Sequence, residues 1–462
     1  MATQSYVSCV LCQRASVVRK IATIRRLSVA ANPQSKPDFL KGEPHKRHPG
    51  VTHLKTLRLP EELLMAARSI IHRAQVPQLP DRARKLTNFL WSRKRATEDS
   101  TLRKKALSLE KELWEKAMEK GGADLDEQGI ADRIHRRVFS ELRRTFYHWT
   151  PLKYDEELGV VYMAAKLAGG YAAVRRALNE IKKRDPTFAP RSLLDFGSGL
   201  GTVAWASHAC WSDTLNELVC VDSSGPMNIL AERLLKGDDE HAETHIKHIY
   251  FRQFLPVSPK VQFDLVTSAF TLSEIPSAPE RQEAVLTLWR KTATYLLLVE
   301  NGTKEGHQML MEARDTLLQN KDKAVYDTRE ASLFAPCPHE ATCPKLMLAS
   351  VVPCNFQQMY MPLYGHNSQS EKFSYLIMTR ERRQPPEADA QVVWSRLIAT
   401  PQARTRHVHC RLCCPNGHLE HLVVTTHKHG RDVYRCARNS AWGDQLPLVQ
   451  HTDDQNDEET TC

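Results

Sequence analysis

The sequence predicts an α/β chain built on a Rossmann-like, doubly wound sheet, with a helical domain before it and a small β-rich unit after it. Three observations carry that reading. Residues 192–202, SLLDFGSGLGT, pass from an apolar run through an acid into glycines at every second position, the pattern of a strand turning directly into a helix. About twenty residues on, LVCVD at 218–222 is a short apolar run ending in a carboxylate, where such a fold places the acid that receives ribose hydroxyls. Further apolar runs at 263–269 and 295–300 alternate with helical stretches, the order of a parallel sheet.

The chain has 462 residues and a net charge of +10, enough length for two or three units with a sizeable core. Residues 1–37 contain no Asp or Glu but hold Arg14, Arg19, Lys20, Arg25, Arg26 and Lys36 among Ser, Ala and small apolar residues. That is the composition of a mitochondrial transit peptide, and it assigns the protein to the mitochondrial matrix. Residues 452–462 are acidic and read as a disordered tail. Residues 1–48 hold nine Lys and Arg against two acids, whereas the tail holds five acids and no base. The body between them therefore stays basic, which suits a polyanionic partner. No stretch approaches ~20 uninterrupted apolar residues, so no membrane span is expected.

Residues 50–188 read as a helical N-terminal domain. Pro60, Glu61 and Glu62 suit a first turn, and Leu63, Ala67, Ile70 and Ala74 then share a face. Residues 83–120 are long and charged, as in a solvated helix pair. Ile130, Ile134, Val138 and Leu142 form an apolar stripe, while Arg133, Arg136, Arg137, Arg143 and Arg144 crowd the other faces. With Phe146, Tyr147 and Trp149 as stacking platforms, those arginines are candidates to grip RNA phosphates. Residues 154–183 predict one more helix, rich in small residues, before Pro186 and Pro190 break it.

Residues 189–382 form the predicted sheet domain. The acidic-x-Gly-x-Gly-x-Gly spacing differs from the dinucleotide pattern G-x-G-x-x-G. It resembles motif I of class I methyltransferases, a likeness that implies S-adenosylmethionine binding through Asp195, Gly197, Ser198, Gly199, Gly201 and Asp222. Residues 227–235 predict the helix after the second strand. Residues 248–254 predict another strand, ending in FRQF without an acid for an adenine amino group. Residues 357–362 and 372–380 predict a closing hairpin. No residue stands out as catalytic: after the 263–269 strand comes SAFTLSEIP rather than an N-P-P-Y-like tetrad. Ser268, Ser273 and Glu274 sit where chemistry would occur but carry no motif.

Twelve cysteines raise a second possibility. Cys337, Cys343 and Cys354 lie in the loop 335–356, and Cys410, Cys413 and Cys414 in HVHCRLCCPNG. In a reducing compartment, metal ligation explains such clusters better than disulfides. The C-x₅-C-x₁₀-C spacing departs from tight zinc pairs, and cysteines followed by proline, as at Cys337 and Cys343, suit iron–sulfur loops. Zinc, with His339 as a ligand, and unligated thiols are the competing readings. Cys413 is the preferred fourth ligand, before a turn in LCCPNG, with Cys410 and Cys414 as alternatives. Residues 393–450 predict a β-rich, RNA-binding unit, with two strands turning at Gly430 and Cys436 on the second. Arg406, Lys428, Arg431, Arg435 and Arg438 would lie on its surface, interleaved with Tyr434 and Trp442.

DFGSGLGT, CPHEATCP, HVHCRLCCPNG and YRCARNSAWGD together resemble the mitochondrial methyltransferase-like protein 17 family, over nearly all of the chain beyond the leader. The resemblance implies a [4Fe–4S] cluster on Cys337, Cys343, Cys354 and Cys413, with S-adenosylmethionine at motif I. It also implies a role in assembling the small mitochondrial ribosomal subunit around its rRNA and proteins, as a monomer on the ribosome, in support of mitochondrial translation. The expected function is an rRNA-binding assembly factor with a methyltransferase-like scaffold. The alternative is an active rRNA methyltransferase of that subunit.

Overall fold

The computed structural model describes residues 37–95, 98–120, 127–145, 149–239, 241–258, 260–319, 329–348, 352–380 and 393–448. The acidic tail, Phe146, Tyr147 and all of the leader but Pro37 lie outside the described residues.

Two N-terminal helices precede the sheet, α1 at Glu61–Ala74 and α2 at Leu79–Ser92. On α1, Leu63, Ala66, Ala67, Ile70 and Ile71 are buried, whereas Ala74, expected on that face, is exposed at the helix end. The next two, α3 at Asp99–Lys120 and α4 at Glu127–Thr145, pack on each other. Ile130, Ile134 and Val138 of α4 are buried against Ala106, Leu109, Leu113, Trp114 and Ala117 in a small core of their own. A fifth helix, α5 at Glu156–Arg184, is capped by the Asp155 side chain, which accepts from the Leu158 amide. It crosses the sheet with most of its length buried. Small residues are needed where it passes other groups: a Cβ at Gly169 would lie 2.4 Å from Glu371 Oε2.

The main sheet has eight strands. Parallel β1 (Ser192–Phe196), β2 (Glu217–Val221), β3 (Ile249–Arg252), β4 (Phe263–Ala269) and β5 (Thr292–Asn301) lie in the order β3-β2-β1-β4-β5. Helices α6 (Thr202–Trp211), α7 (Gly225–Leu235), α8 (Ala278–Arg290) and α9 (Lys304–Gln319) join or flank them. This is the α/β, Rossmann-like sheet that the sequence predicts, with helices before it. Strand β3, read as the run 248–254, is the outer edge of the sheet.

Beyond β5 the sheet turns antiparallel. Strand β8 (Gln369–Thr379) pairs with β5 on one side, and on its other side with both β7 (Phe356–Tyr360) and β6 (Ser332–Ala335). Since Phe356 faces Phe373 and Ala335 faces Ile377, both ends of the loop 336–355 emerge at a short gap beside β8. Ser374 Oγ closes that gap by donating to Cys354 O at 2.8 Å.

The C-terminal unit is a second sheet, with β9 (Ser395–Leu397), β10 (Gln402–Ala403), β11 (His407–Cys413), β12 (Leu419–Thr425) and β13 (Gln445–Leu446). One expectation fails here. After β12 the chain forms α10, Thr426–Asn439, rather than a second strand, with non-helical angles at Gly430. Cys436 is therefore helical. The buried positions His429, Val433, Cys436 and Ala437 follow a helical period, with Arg431, Arg435 and Arg438 exposed between them.

A buried ion network joins this unit to the main sheet. Arg396 of β9 donates to both oxygens of Glu180 on α5, at 2.6 and 3.1 Å, and through Nε to Pro336 O at 2.8 Å. Arg176 and Arg184 share the same carboxylate at 3.5 and 3.2 Å, and Tyr375 donates its hydroxyl to it at 3.2 Å. Burial opposes ionisation of Glu180, but Arg396, then Arg184 and Arg176, hold it well below the usual carboxylate range. The segment 48–53 adds a second tie: Asp444 accepts from the amides of Thr52 and His53 at 2.8 and 3.0 Å. No described helix is long and apolar enough to cross a membrane. Replacing one partner of a buried pair costs about 3–5 kcal/mol, so Glu180→Gln should markedly lower the denaturant midpoint. Wild-type stability in that variant would show the joint to be incidental.

Candidate functional site

The turn after β1 is built by its glycines. Gly197, Gly199 and Gly201 have φ of 73°, 48° and 68°, a region that other residues adopt reluctantly. Gly197 also faces a wall, since a Cβ there would lie 2.1 Å from Thr271 Oγ1, whereas at Gly199 the nearest atom would be Met227 Cε at 3.6 Å. The amides of Gly197 and Ser198 donate to Val221 O at 2.8 and 3.1 Å, which clips the turn to the end of β2. Asp222 finishes it, accepting from Gly199 N and Ser224 N, each at 2.8 Å. Its oxygens keep further acceptor capacity. Burial raises the Asp222 carboxyl, and those two amides oppose the shift.

The structure thus brings Asp195, Gly197, Ser198, Gly199, Gly201 and Asp222 to one end of the sheet. Asp195 is fully buried, and its Oδ1 accepts from Thr267 Oγ1 at 3.2 Å. Burial pushes it up to about 8. Among the described residues Asp195 Oδ2, Ser198 Oγ, Ser268 Oγ and Glu300 Oε2 are buried without a hydrogen-bond partner. All four stand on or beside the carboxyl ends of β1, β4 and β5. Burial likewise pushes Glu300 up to about 7.

Sequence reasoning missed the strap across this end of the sheet. Tyr154 O accepts from Ser224 Oγ at 2.8 Å, and Tyr154 OH donates to Glu274 Oε1 at 3.5 Å. Ser224 follows β2 and Glu274 follows β4, the two strands flanking β1, so Tyr154 spans the turn between them. Arg93 locks the far side, 2.6 Å from Glu274 Oε1, while stacking on Trp149 at 4.8 Å. Trp149 therefore supports Arg93 rather than standing as a free platform. Ser273 is engaged as well, its amide donating to Glu300 Oε1 at 3.3 Å. No local signal announced the strap, because its members come from the α2–α3 linker and the approach to α5.

The second constellation gathers at the gap beside β8. Cys343 and Cys413 are buried and Cys337 and Cys354 half-buried, and the sulfurs of Cys337, Cys354 and Cys413 act on one another and on Cys343. Burial first, then the neighbouring sulfurs, pushes Cys337 up to about 12. Burial pushes Cys354 up to about 11 and raises Cys413 further. Strand alternation separates the candidates on β11: Cys410, Leu412 and Cys414 belong to the core of the C-terminal unit, which leaves Cys413 on the opposite face. There its Sγ lies 3.3 Å from His339 Nε2, and Cys343 Sγ lies 3.7 Å from His307 Nε2. The described cysteines are all free thiols. Among the described residues no three His, Cys, Asp or Glu converge tightly enough to hold a single metal ion. Cys210 and Cys220 belong to the main core. Trp442 packs against that core, whereas Arg406, Lys428, Arg431, Arg435 and Arg438 are exposed.

Because Gly197 combines a positive φ with the Thr271 wall, Gly197→Ala should cost about 1–3 kcal/mol of stability from backbone strain alone, with more from the clash. Gly199→Ala, whose Cβ would meet Met227 Cε at ordinary van der Waals distance, should cost less. Thermal melts of the two variants compare them, and equal losses would refute the steric account.

Residues 156–447 match the family described as Mitochondrial small ribosomal subunit Rsm22. A human protein named Ribosome assembly protein METTL17, mitochondrial, is 47% identical over 418 residues, covering 90% of this chain and 88% of that protein. A Schizosaccharomyces pombe protein, Rsm22-cox11 tandem protein 2, mitochondrial, is 25% identical over 325 residues, covering 63% of this chain and 43% of its own length. Among solved structures, magnesium protoporphyrin IX methyltransferase from Synechocystis PCC 6803 with bound SAM covers 56% of this chain and 100% of its own, at 14% identity and a TM-score of 0.30. The family match spans the central helix, both sheets and the cysteine loop, and the chain belongs to the Rsm22 family of mitochondrial small ribosomal subunit proteins.

Proposed function

We propose that this protein is a mitochondrial matrix factor that assembles the small ribosomal subunit, binding its rRNA through a methyltransferase-like scaffold and so serving mitochondrial translation. The human relative's name as a ribosome assembly protein supports the general role. The observation that carries the scaffold reading is the strap. Tyr154 and the Arg93–Glu274 pair close the chain over the turn where an acceptor base would meet a methyl donor.

S-adenosylmethionine fits the crevice beneath. Asp222 has acceptor capacity for ribose hydroxyls, and the unpartnered oxygens of Asp195 and Glu300 suit a cationic ligand with N–H donors. When bound, that cofactor supplies an electrophilic methyl group. A [4Fe–4S] cluster suits the cysteine centre: four thiols from two remote segments lie near enough to act on one another, without converging on one ion position. Cys337, Cys343, Cys354 and Cys413 would hold it, fastening the C-terminal unit to the loop.

Two exposed basic surfaces suit RNA. One is α4, with Arg133, Arg136, Arg137, Arg143 and Arg144 exposed around a stripe that packs only on its partner helix among the described residues. The other is α10 with its neighbours Arg404, Arg406 and Arg411. The alternative, an active rRNA methyltransferase, draws on the intact glycine turn but requires the strap to lift.

A Gly199→Arg variant, which pushes a cationic side chain into the crevice, separates the two readings. In cells lacking the protein it should restore small-subunit assembly without removing any methylated rRNA base. Failure of assembly together with loss of one modified base would establish the enzyme instead. Reversing Arg136, Arg137, Arg143 and Arg144 to Glu should lower RNA affinity by about tenfold or more and flatten its salt dependence. Unchanged binding would remove α4 from the interface. Anaerobically purified protein should contain iron and acid-labile sulfide, and Cys337→Ser with Cys343→Ser should abolish both. Zinc in their place would overturn the cluster reading.

A further inference from the structure

The walls of the cysteine centre carry more positive charge than they neutralise. Lys345 is 8% exposed and donates Nζ to Pro353 O at 3.1 Å, and among the described residues no carboxylate forms an ion pair with it. Arg314 of α9 is fully buried, donates to Ala341 O at 2.5 Å, and has an Nε without a hydrogen-bond partner among the described residues. Its carboxylate neighbour there is Asp315 at 3.4 Å, a side chain 43% exposed to water. Arg396, the third buried cation, already belongs to Glu180. An unmatched buried cation is costly, and protonated thiols cannot match it.

The placement of these groups is specific. Lys345 acts on Cys354 and His307, and Arg314 acts on Cys337 and His339. His307 and His339 in turn present Nε2 to the sulfurs of Cys343 and Cys413, at 3.7 and 3.3 Å. Each of the four thiols therefore has a cation or an imidazole from the chain beside it.

We infer that Lys345 and Arg314 are built-in counter-charges for an anionic, thiolate-ligated cluster and that, with His307 and His339 at two of its sulfurs, they raise its reduction potential. The inference rests on the cluster reading above. A cluster held by four thiolates is net negative and becomes more so when it takes one electron from an external reductant. Fixed positive charge and hydrogen bonds to sulfur favour the reduced form. They act as positioning residues: the two imidazoles reach the ligand sulfurs, and the two cations are fixed to the loop backbone at Pro353 and Ala341.

An EPR-monitored redox titration of the full chain, purified anaerobically and reduced stepwise with dithionite, tests this. Lys345→Gln should lower the ratio of reduced to oxidised cluster at a fixed ambient potential by roughly tenfold, a fall of about 59 mV for one electron. Lys345→Arg, which keeps the charge, should restore the wild-type midpoint, and Arg314→Lys should stay near it. His307→Leu should shift the midpoint in the same direction as Lys345→Gln. If Lys345→Gln sheds its cluster while Lys345→Arg keeps it, the counter-charge role stands; loss from both, or an unmoved midpoint in Lys345→Gln, overturns it. A wild-type chain that holds no iron and sulfide removes the cluster reading and this inference together. A cluster-bearing wild type with unmoved variants removes the inference alone.

Discussion

The Glu180–Arg396 ion pair is the joint on which the remaining geometry depends. Glu180 lies on the helix that crosses the main sheet, and Arg396 lies on the first strand of the C-terminal unit. The same guanidinium reaches Pro336 O, one residue before Cys337. One side chain thus fixes the C-terminal unit, the central helix and the start of the cysteine loop relative to one another. Cys413 is paired with Arg396 across β11 and β9, so its position is set by that contact. Burying Glu180 is expensive unless its charge is matched, and this one geometry surrounds it with the buried Arg176 and Arg396 and the half-buried Arg184.

A second constraint acts where the loop leaves the sheet. Because β6 and β7 pair with different ends of the same edge of β8, the long insertion between them has to start and finish within a few residues of one another. Cys337 and Cys354 enter at the two ends, and the turn of the β11–β12 hairpin closes the far side. Gly417, with φ of 83°, allows that turn to approach, since a Cβ there would lie 3.2 Å from Ala341. The glycine turn beyond the end of β1 and the cysteine centre beside the outer edge of β8 thus belong to different parts of the same sheet.

The crevice has a polarity of its own. Buried carboxyl groups at Asp195 and Glu300 are raised by desolvation, which is the state of acidic groups lacking a cation or a full set of donors. The strap over them is held by an ion pair with a nearly buried arginine, stacked on Trp149. A site built this way holds a small ligand more readily than it admits a large acceptor, which is the ground of the scaffold reading proposed above.

The sequence by itself determined the sheet strands, the glycine turn and its acids, and the helix before them, because each is written in local spacing: alternation, a 3.6-residue period, or glycines where φ must be positive. It also narrowed the cysteines to two clusters. It misread 426–439 as a turn at Gly430 between two strands, where the helical spacing of Val433, Cys436 and Ala437 set the outcome. Tertiary structure alone decided which cysteine of the second cluster meets the first, what covers the crevice, and which cations surround the thiols. Those partners, such as Arg93 with Glu274, Arg396 with Glu180, and Arg314 with the loop at Ala341, lie tens to hundreds of residues apart. Their pairing follows from long-range packing and from the cost of burying charge, neither of which leaves a period in the sequence.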